Sequence, residues 1–471
     1  MSALLLDRLQ FAFTVSFHFI FAPLSIGLSV LLVLAERRYY RSGLEVDRHA
    51  STFWLKLLVA TVAIGVATGV PMEFSFGTNW SNYSRFVGGV FGAPLAIEGL
   101  VAFFLESTFI AVLIFGRKRV SKRFYYLSAW LVTIGAHLSA VWILIANSWQ
   151  QTPAGYKIVD GRAELTSVWS AVINYSTVPR ILHTVFAAWV IGAFVVISIS
   201  AYYILKGRHL QFAHRSLPSA IVVGLIAAIM MPVIGHWSAV IVAEHQPAKL
   251  AAMEGLYTSQ EGAPLYLFGW VDTGGERVIG PYLPNMLSAL ADLDLYSEIK
   301  GLDAFAGATP PVQIVFQSWH LMVALGMLFV LVMLVAGWLL WRRRLAYHRW
   351  FLWIMVVAVP LPWVATMAGW TTAEVGRQPW VVYELMRTSQ GASPTVTASQ
   401  VASTLALFVL IYALLFVAWM WVVTGIVRKG PDKVPVEPPR GAGAAAVGAG
   451  AGAAGTGARA AATGAPEEVS S

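Results

Sequence analysis

Nine apolar runs, each long enough to cross a bilayer as one helix, recur along the chain and dictate its architecture. They cover roughly Leu9–Ala35, Phe53–Met72, Phe91–Phe115, Tyr125–Ala146, Ile181–Leu205, Pro218–Val242, Val315–Trp341, Trp350–Met367 and Val401–Val427. In hydrocarbon no water is available to satisfy backbone N–H and C=O groups, so such runs must be helical. The expected fold is an all-α polytopic membrane protein of about nine transmembrane helices. Its loops are charged unequally. Arg37, Arg38, Arg41 and Arg48 follow the first run, and Arg117, Lys118, Arg119, Lys122 and Arg123 the third. Lys206, Arg208 and Arg215 follow the fifth, Arg342, Arg343, Arg344 and Arg349 the seventh, and Arg428, Lys429 and Lys433 the ninth. The positive-inside rule then places the N-terminus outside and the C-terminus in the cytoplasm. The location expected is a cell membrane, crossed several times.

Composition agrees: 58% of residues are hydrophobic and 12% charged, about half the charge of a soluble domain. The net charge of +8 belongs to this loop bias and gives no reason to expect nucleic acid. Cysteine is absent, which removes disulfides, thiolate metal sites and iron–sulfur clusters. No basic n-region or small-residue cleavage site marks a cleavable signal peptide. Two regions are expected: a transmembrane domain over 1–434, including a long outer loop at about 243–314, and a Gly/Ala-rich, disordered cytoplasmic tail over 435–471.

Ionisable groups inside apolar runs are costly, and they mark function. Glu98 and Glu106 both fall in the third run. If that run is one helix, eight residues put them about 12 Å apart on nearly one face. They suit a proton path or a buried cation; the alternative is that they snorkel from helix ends. His18, His183, Met322 and Glu374 are candidate iron ligands, with His183 and Met322 expected at one depth on different helices. His with Met is a usual axial pair for an electron-transfer haem, although either residue can simply pack. Glu374 and Arg377 are three apart and can form a local ion pair; Arg can also hold a haem propionate. The outer loop opens with AEHQPAKLAAMEGLY, where Gln246, Lys249 and Glu254 could hold the polar head of an amphipathic ligand or merely form a solvated helix. Without cysteine or a histidine pair, the chain lacks the ligands of a haem–copper centre.

The stretches QFAFTVSFHFIFAPLSIGL, GAPLAIEGLVAFFLEST, IANSWQQTPAG, HQPAK and GRQPW resemble subunit I of the cytochrome bd-type quinol oxidases, from about Leu5 to Val427. The compact outer loop resembles the short-loop branch, which includes cyanide-insensitive members. The resemblance implies a respiratory terminal oxidase that takes electrons from quinol at the outer face and reduces dioxygen to water. It would do so with two haems b, a haem d or third haem b, and no copper, building proton motive force without pumping. His183 and Met322 would ligate the low-spin haem, His18 and Glu374 the two high-spin haems. Arg377 and Arg8 would meet propionates, and Lys249, Glu254 and Gln246 would bind quinol. Glu98, Glu106, Ser139 and Asn147 would line the oxygen and proton region. The family works with a second large membrane subunit, subunit II, and often a small single-span one. Where many members have Arg, this chain has His320, a candidate propionate contact or competing ligand. The competing classes are a proton-coupled transporter, which would be colourless, and a di-haem reductase that never meets oxygen.

Overall fold

The computed structural model describes residues 2–99 and 104–432, without the side chains of residues 93–95, 97 and 98. The tail from 433 and residues 100–103 lie outside the described residues. Its helices are α1 (Ala3–Ser42), α2 (Glu45–Thr78), α3 (Ser81–Glu98), α4 (Phe104–Phe115), α5 (Lys122–Gln151), α6 (Val168–Val172), α7 (Thr177–Leu205) and α8 (Leu210–His245). They continue with α9 (Pro247–Glu254), α10 (Met286–Asp292), α11 (Val312–Trp341), α12 (Arg349–Val357), α13 (Leu361–Val375), α14 (Thr388–Gly391) and α15 (Ala398–Lys429). Short antiparallel strand pairs occur only in the connections, such as β1 (Tyr156–Val159) with β2 (Arg162–Leu165).

Among the described residues, seven helices are long and apolar enough to cross a membrane: α1, α2, α5, α7, α8, α11 and α15. The pair α12–α13, bent by 40°, passes the same test only when taken together, as a broken span or a re-entrant loop. The bend falls where Pro360 and Pro362 flank Leu361; proline lacks an N–H and clashes with the preceding turn. The described parts of the run Phe91–Phe115 are the end of α3 at Glu98 and α4 from Phe104; the expectation of one helix carrying both Glu98 and Glu106 falls on residues 100–103, outside the described residues.

Several helices outrun their apolar cores. The apolar run Leu9–Ala35 sits inside α1, whose 40 residues reach about 60 Å. Its ends are set by caps: Ser2 Oγ accepts the Leu5 N–H at 3.3 Å, and Gly43 closes the helix with φ 64°. At the other end of the chain, Arg428 and Lys429 occupy the last turn of α15, complementing its negative dipole end.

The core is where α1, α2, α7 and α8 meet. The α1–α7 contact is backbone on backbone. A Cβ placed on Gly27 would lie 2.8 Å from Gly192 N and closer still to Ala188 O. Small residues let helices approach like this in lipid, where dispersion rather than water expulsion drives association. The outward faces of α11 and α15 are apolar and exposed, with Leu331, Trp338, Leu414 and Trp421 among them. The basic end is closed by charge. Arg117 pairs with Glu36 and donates to Ser51 Oγ at 2.8 Å, while Arg215 Nη1 donates to both oxygens of Asp47 at 2.8 Å. Glu36 and Asp47 are only 2% and 1% exposed, so each carboxylate depends on its arginine.

Gly27→Val should force α1 from α7, a cost of about 1–3 kcal/mol or more from overpacking. A clear drop in the Tm of the detergent-solubilised complex is expected; an unchanged Tm would mean the two backbones do not touch.

Candidate haem and substrate site

At the end of the bundle opposite Glu36 and Asp47, helices α5, α7, α8, α11 and α13 enclose a cavity of about 830 Å³, walled also by α1 and α3. Its lining is mainly apolar, with Phe11, Val15, Phe19, Phe91, Phe329 and Trp370 among the contributors. The polar exceptions concentrate in one place: Arg8, Asn147, Gln150, Arg180, His183, Gln246, Lys249, Met322, Glu374 and Arg377 all line the cavity.

These polar groups form one network. Arg377 Nη2 donates to Glu374 Oε2 at 2.5 Å, and Asn147 Nδ2 donates to Glu374 Oε1 at 2.8 Å. Gln151 Nε2 also donates to that oxygen, at 3.2 Å. Arg180 Nη1 donates to Asn147 Oδ1 at 3.1 Å, and Arg377 Nη1 to Gln150 Oε1 at 3.2 Å. Lys249 Nζ donates to Gln151 Oε1 at 2.5 Å and to Gln246 Oε1 at 2.6 Å. Gln246 Nε2 in turn donates to the Gln151 carbonyl at 2.9 Å. A fully buried glutamine, Gln151, thus joins α9 to Glu374. Each helix delivers its share from a terminal turn: α5 and α13 from their last turns, α7 and α9 from their first.

Helix α9 is not a solvated surface helix. Lys249 and Glu254 are each 2% exposed. Burial, reinforced by Arg180 and Arg377, pulls the Lys249 ammonium well below the usual lysine range. Burial pushes the Glu254 carboxyl up to about 8, with a hydrogen bond from Trp319 opposing the shift. Glu254 does not line the cavity; its Oε1 accepts the Trp319 indole N–H at 2.8 Å, and Trp319 does line it.

The remaining expected residues are more dispersed. His18 sits between the cavity residues Val15 and Phe19, but its ring meets α2: Nδ1 lies 3.0 Å from Thr68 Oγ1, and a Cβ on Gly69 would come within 3.2 Å of Cε1. Glu106 on α4 and Ser139 on α5 are half-buried and off the cavity wall. The Glu98 side chain lies outside the described residues. His320 is turned away from the cavity. Its Nδ1 lies 2.9 Å from the Phe316 carbonyl and its Nε2 2.9 Å from the Tyr266 carbonyl, with the ring stacked on Phe316. Both nitrogens thus face backbone carbonyls, and His320 does not line the cavity. Arg180, Gln150, Gln151 and Trp319 belong to the site without having been singled out from sequence.

The residues fit haem. His183 Nδ1 and Arg180 Nε are buried without a partner. A Cβ on Gly369 would stand 2.6 Å from Met322 Sδ, and one on Gly235 would stand 3.5 Å from His183 Cε1, so both side chains have glycine-made room. Glu374 has three hydrogen bonds on a carboxylate that accepts about four. Arg180 and Arg377 stand beside this single carboxylate, a surplus of positive charge that propionates would neutralise.

The helical membrane fold and this cavity define a polytopic membrane protein with a buried polar site that suits an anionic prosthetic group. The comparisons narrow the class. The family model for cytochrome bd terminal oxidase subunit I matches residues 6–431, and the chain belongs to that family. It is similar to cytochrome bd ubiquinol oxidase subunit 1 of Bacillus subtilis (strain 168), at 39% identity over 92% of this chain and 95% of the relative. It is also similar to cytochrome bd-II ubiquinol oxidase subunit 1 of Escherichia coli (strain K12), at 36% identity over 92% of this chain and 98% of the relative. The bd oxidase structure from Geobacillus thermodenitrificans superposes with a TM-score of 0.85 at 28% identity, covering 91% of this chain and 99% of that one. This chain is therefore a multi-pass bacterial membrane protein carrying haem, and a subunit of a multi-subunit terminal oxidase of respiratory electron transport.

Arg180→Gln removes a cation and alters the partner of Asn147. Losing a hydrogen bond of a charged group costs about 1.5–3 kcal/mol, so haem retention should weaken roughly tenfold or more. Haem content per polypeptide, measured as the pyridine haemochrome, checks this; full retention would remove Arg180 from the anion-binding set.

Proposed function

We propose that this chain oxidises membrane quinol against α9 and that the cavity end marked by Glu374 serves dioxygen reduction to water. The family makes it a quinol:oxygen oxidoreductase. The observation that carries the spatial assignment is the hydrogen-bonded seam Lys249–Gln151–Glu374–Asn147–Arg180, which runs from the loop helix into the cavity. Haem supplies the one-electron chemistry that joins two-electron quinol oxidation to four-electron oxygen reduction.

His183 and Met322 would hold the low-spin haem b, and His18 and Glu374 the high-spin pair, a second haem b with a haem d or third haem b. The reading needs no copper, and the chain has no cysteine to bind it as thiolate. Arg8, Arg180 and Arg377 would meet propionates. Lys249, held by two glutamine carbonyls and shifted toward its neutral form, offers a hydrogen-bonding partner for a quinol oxygen. Gln246 fixes it in place. Glu254 takes a quinol proton at the loop side.

Protons for water would come from the basic side by way of Glu106 and Glu98, with Ser139 and Asn147 beside that route. Taking the basic side as cytoplasmic, proton release at the loop side and uptake from the other side separate charge without pumping. The exposed apolar faces of α11 and α15 suit lipid or the large second subunit, with room for a small single-span one.

His183→Ala should abolish the low-spin component of the reduced-minus-oxidised spectrum; a spectrum like that of the unmodified enzyme would dismiss this ligand. Lys249→Ala should raise the quinol KM several-fold while haem content stays level. With the Glu254 carboxyl raised to about 8, its basic form appears only above that value. The kcat/KM for quinol should accordingly climb as pH passes through about 8, and a flat profile would take Glu254 out of proton acceptance.

A further inference from the structure

We propose that Trp319 is the positioning residue for Glu254: its indole N–H pins Oε1 and reserves Oε2 as the oxygen that receives the quinol proton. The proposal rests on quinol being oxidised at α9.

The geometry is specific. Glu254 ends α9 and is followed by Gly255, which closes the helix at φ 66°. A Cβ on Gly255 would clash with Val278 and stand 3.3 Å from Phe316 Cδ2, so the backbone behind Glu254 is held between the loop and α11. Ahead of it, Trp319 Nε1 donates to Oε1 at 2.8 Å. The other carboxyl oxygen, Oε2, is buried and has no partner.

An indole N–H can only donate. The oxygen it meets must therefore accept, whether Glu254 is a carboxylate or a neutral acid, and any proton the acid carries belongs on Oε2. Trp319 thus decides which oxygen is reactive. When a quinol hydroxyl meets Oε2, its O–H bond breaks and a new O–H forms there, as an electron leaves the quinol for the oxidase. This accounts for one of the two quinol protons. The same indole lines the cavity one turn before Met322, so a single turn of α11 faces both the quinol helix and the redox cavity.

The other ionisable groups around Glu254 make no hydrogen bond to it. On α9, Lys249 is held by Gln151 and Gln246. On α8, His245 and Glu244 lie 3.8 Å from each other. On α11, His320 is taken by the Phe316 and Tyr266 carbonyls. Beyond α9, Asp303 accepts from Ser259, and the buried Tyr257 hydroxyl has no partner. The indole is the group that counters burial at Glu254.

The test is Trp319→Phe in the complete membrane complex, which keeps an aromatic ring and deletes the donor. Losing the bond disfavours the carboxylate. The ascending limb of kcat/KM for quinol should move up by about one pH unit, roughly tenfold lower activity below the limb, with an unchanged haem spectrum. A profile superimposable on that of the unmodified enzyme would overturn the proposal. Glu254→Gln separates this from the underlying reading: it should remove the limb, and retention of both limb and quinol KM would mean that quinol is oxidised elsewhere. If Trp319→Phe fails to retain haem, infrared difference spectra of the unmodified enzyme against Glu254→Gln decide. A protonated carboxyl band at a hydrogen-bonded C=O frequency is expected; a free C=O frequency would refute the Trp319 bond.

Discussion

Charge withdrawn from water sets the terms for this structure. A bundle built from apolar helices has few ways to keep Arg180, Lys249, Glu374 and Arg377 at one internal site, because each ion loses several kcal/mol of hydration on entering it. The solution is a ring of amides. Asn147, Gln150, Gln151 and Gln246 contribute carbonyl oxygens to the cations, and the Asn147 and Gln151 N–H groups satisfy the carboxylate. An amide carries donor and acceptor together without adding charge, so it can sit between a lysine and a glutamate and satisfy both. The ring leaves basic groups in excess, which gives an anionic prosthetic group an electrostatic reason to stay.

The two ends of the bundle handle charge differently. At the basic end each buried carboxylate has a direct arginine partner, Glu36 with Arg117 and Asp47 with Arg215, and those pairs tie helix ends together. At the cavity end the direct pair Glu374–Arg377 is local to one turn, and the interhelical ties pass through amides. A direct ion pair is strong but leaves little capacity for a third group. An amide-linked network has spare lone pairs and donors, which suits a place where ligands must bind and protons must move.

Much of this was legible from the residues. Apolar run length announced the spans, and loop arginines marked a common end, because the bilayer enforces both rules on short stretches of sequence. His183, Met322, Glu374, Arg377, Gln246 and Lys249 were legible as site residues and do share one cavity. What escaped was set by contacts between helices. Gln151 lies inside a quoted motif, yet its importance comes from meeting α9 and Glu374 at once. Arg180 stands one turn from His183 and draws attention only when Asn147 and the other cations are seen beside it. His320 could point to either side of α11, and stacking on Phe316 decided the matter. The helix expected over Phe91–Phe115 passes through residues 100–103, outside the described residues, and the bend at Pro360 and Pro362 had a visible cause but no visible angle.

Glycine placement links the packing to the chemistry. Gly27 and Gly192 bring α1 and α7 into backbone contact, which draws together at their middle two of the helices that carry candidate ligands. Gly69, Gly235 and Gly369 lie respectively against His18, His183 and Met322, the three candidate ligands that carry no charge. Glu374, by contrast, is held by hydrogen bonds. A side chain with few polar partners in an apolar bundle takes its direction largely from shape, space on one side and a wall on the other, to which His18 adds the contact of Nδ1 with Thr68 Oγ1. A charged ligand in the same bundle needs polar partners simply to be there, and they orient it at the same time. The candidate site therefore combines shape and hydrogen bonding in holding its side chains.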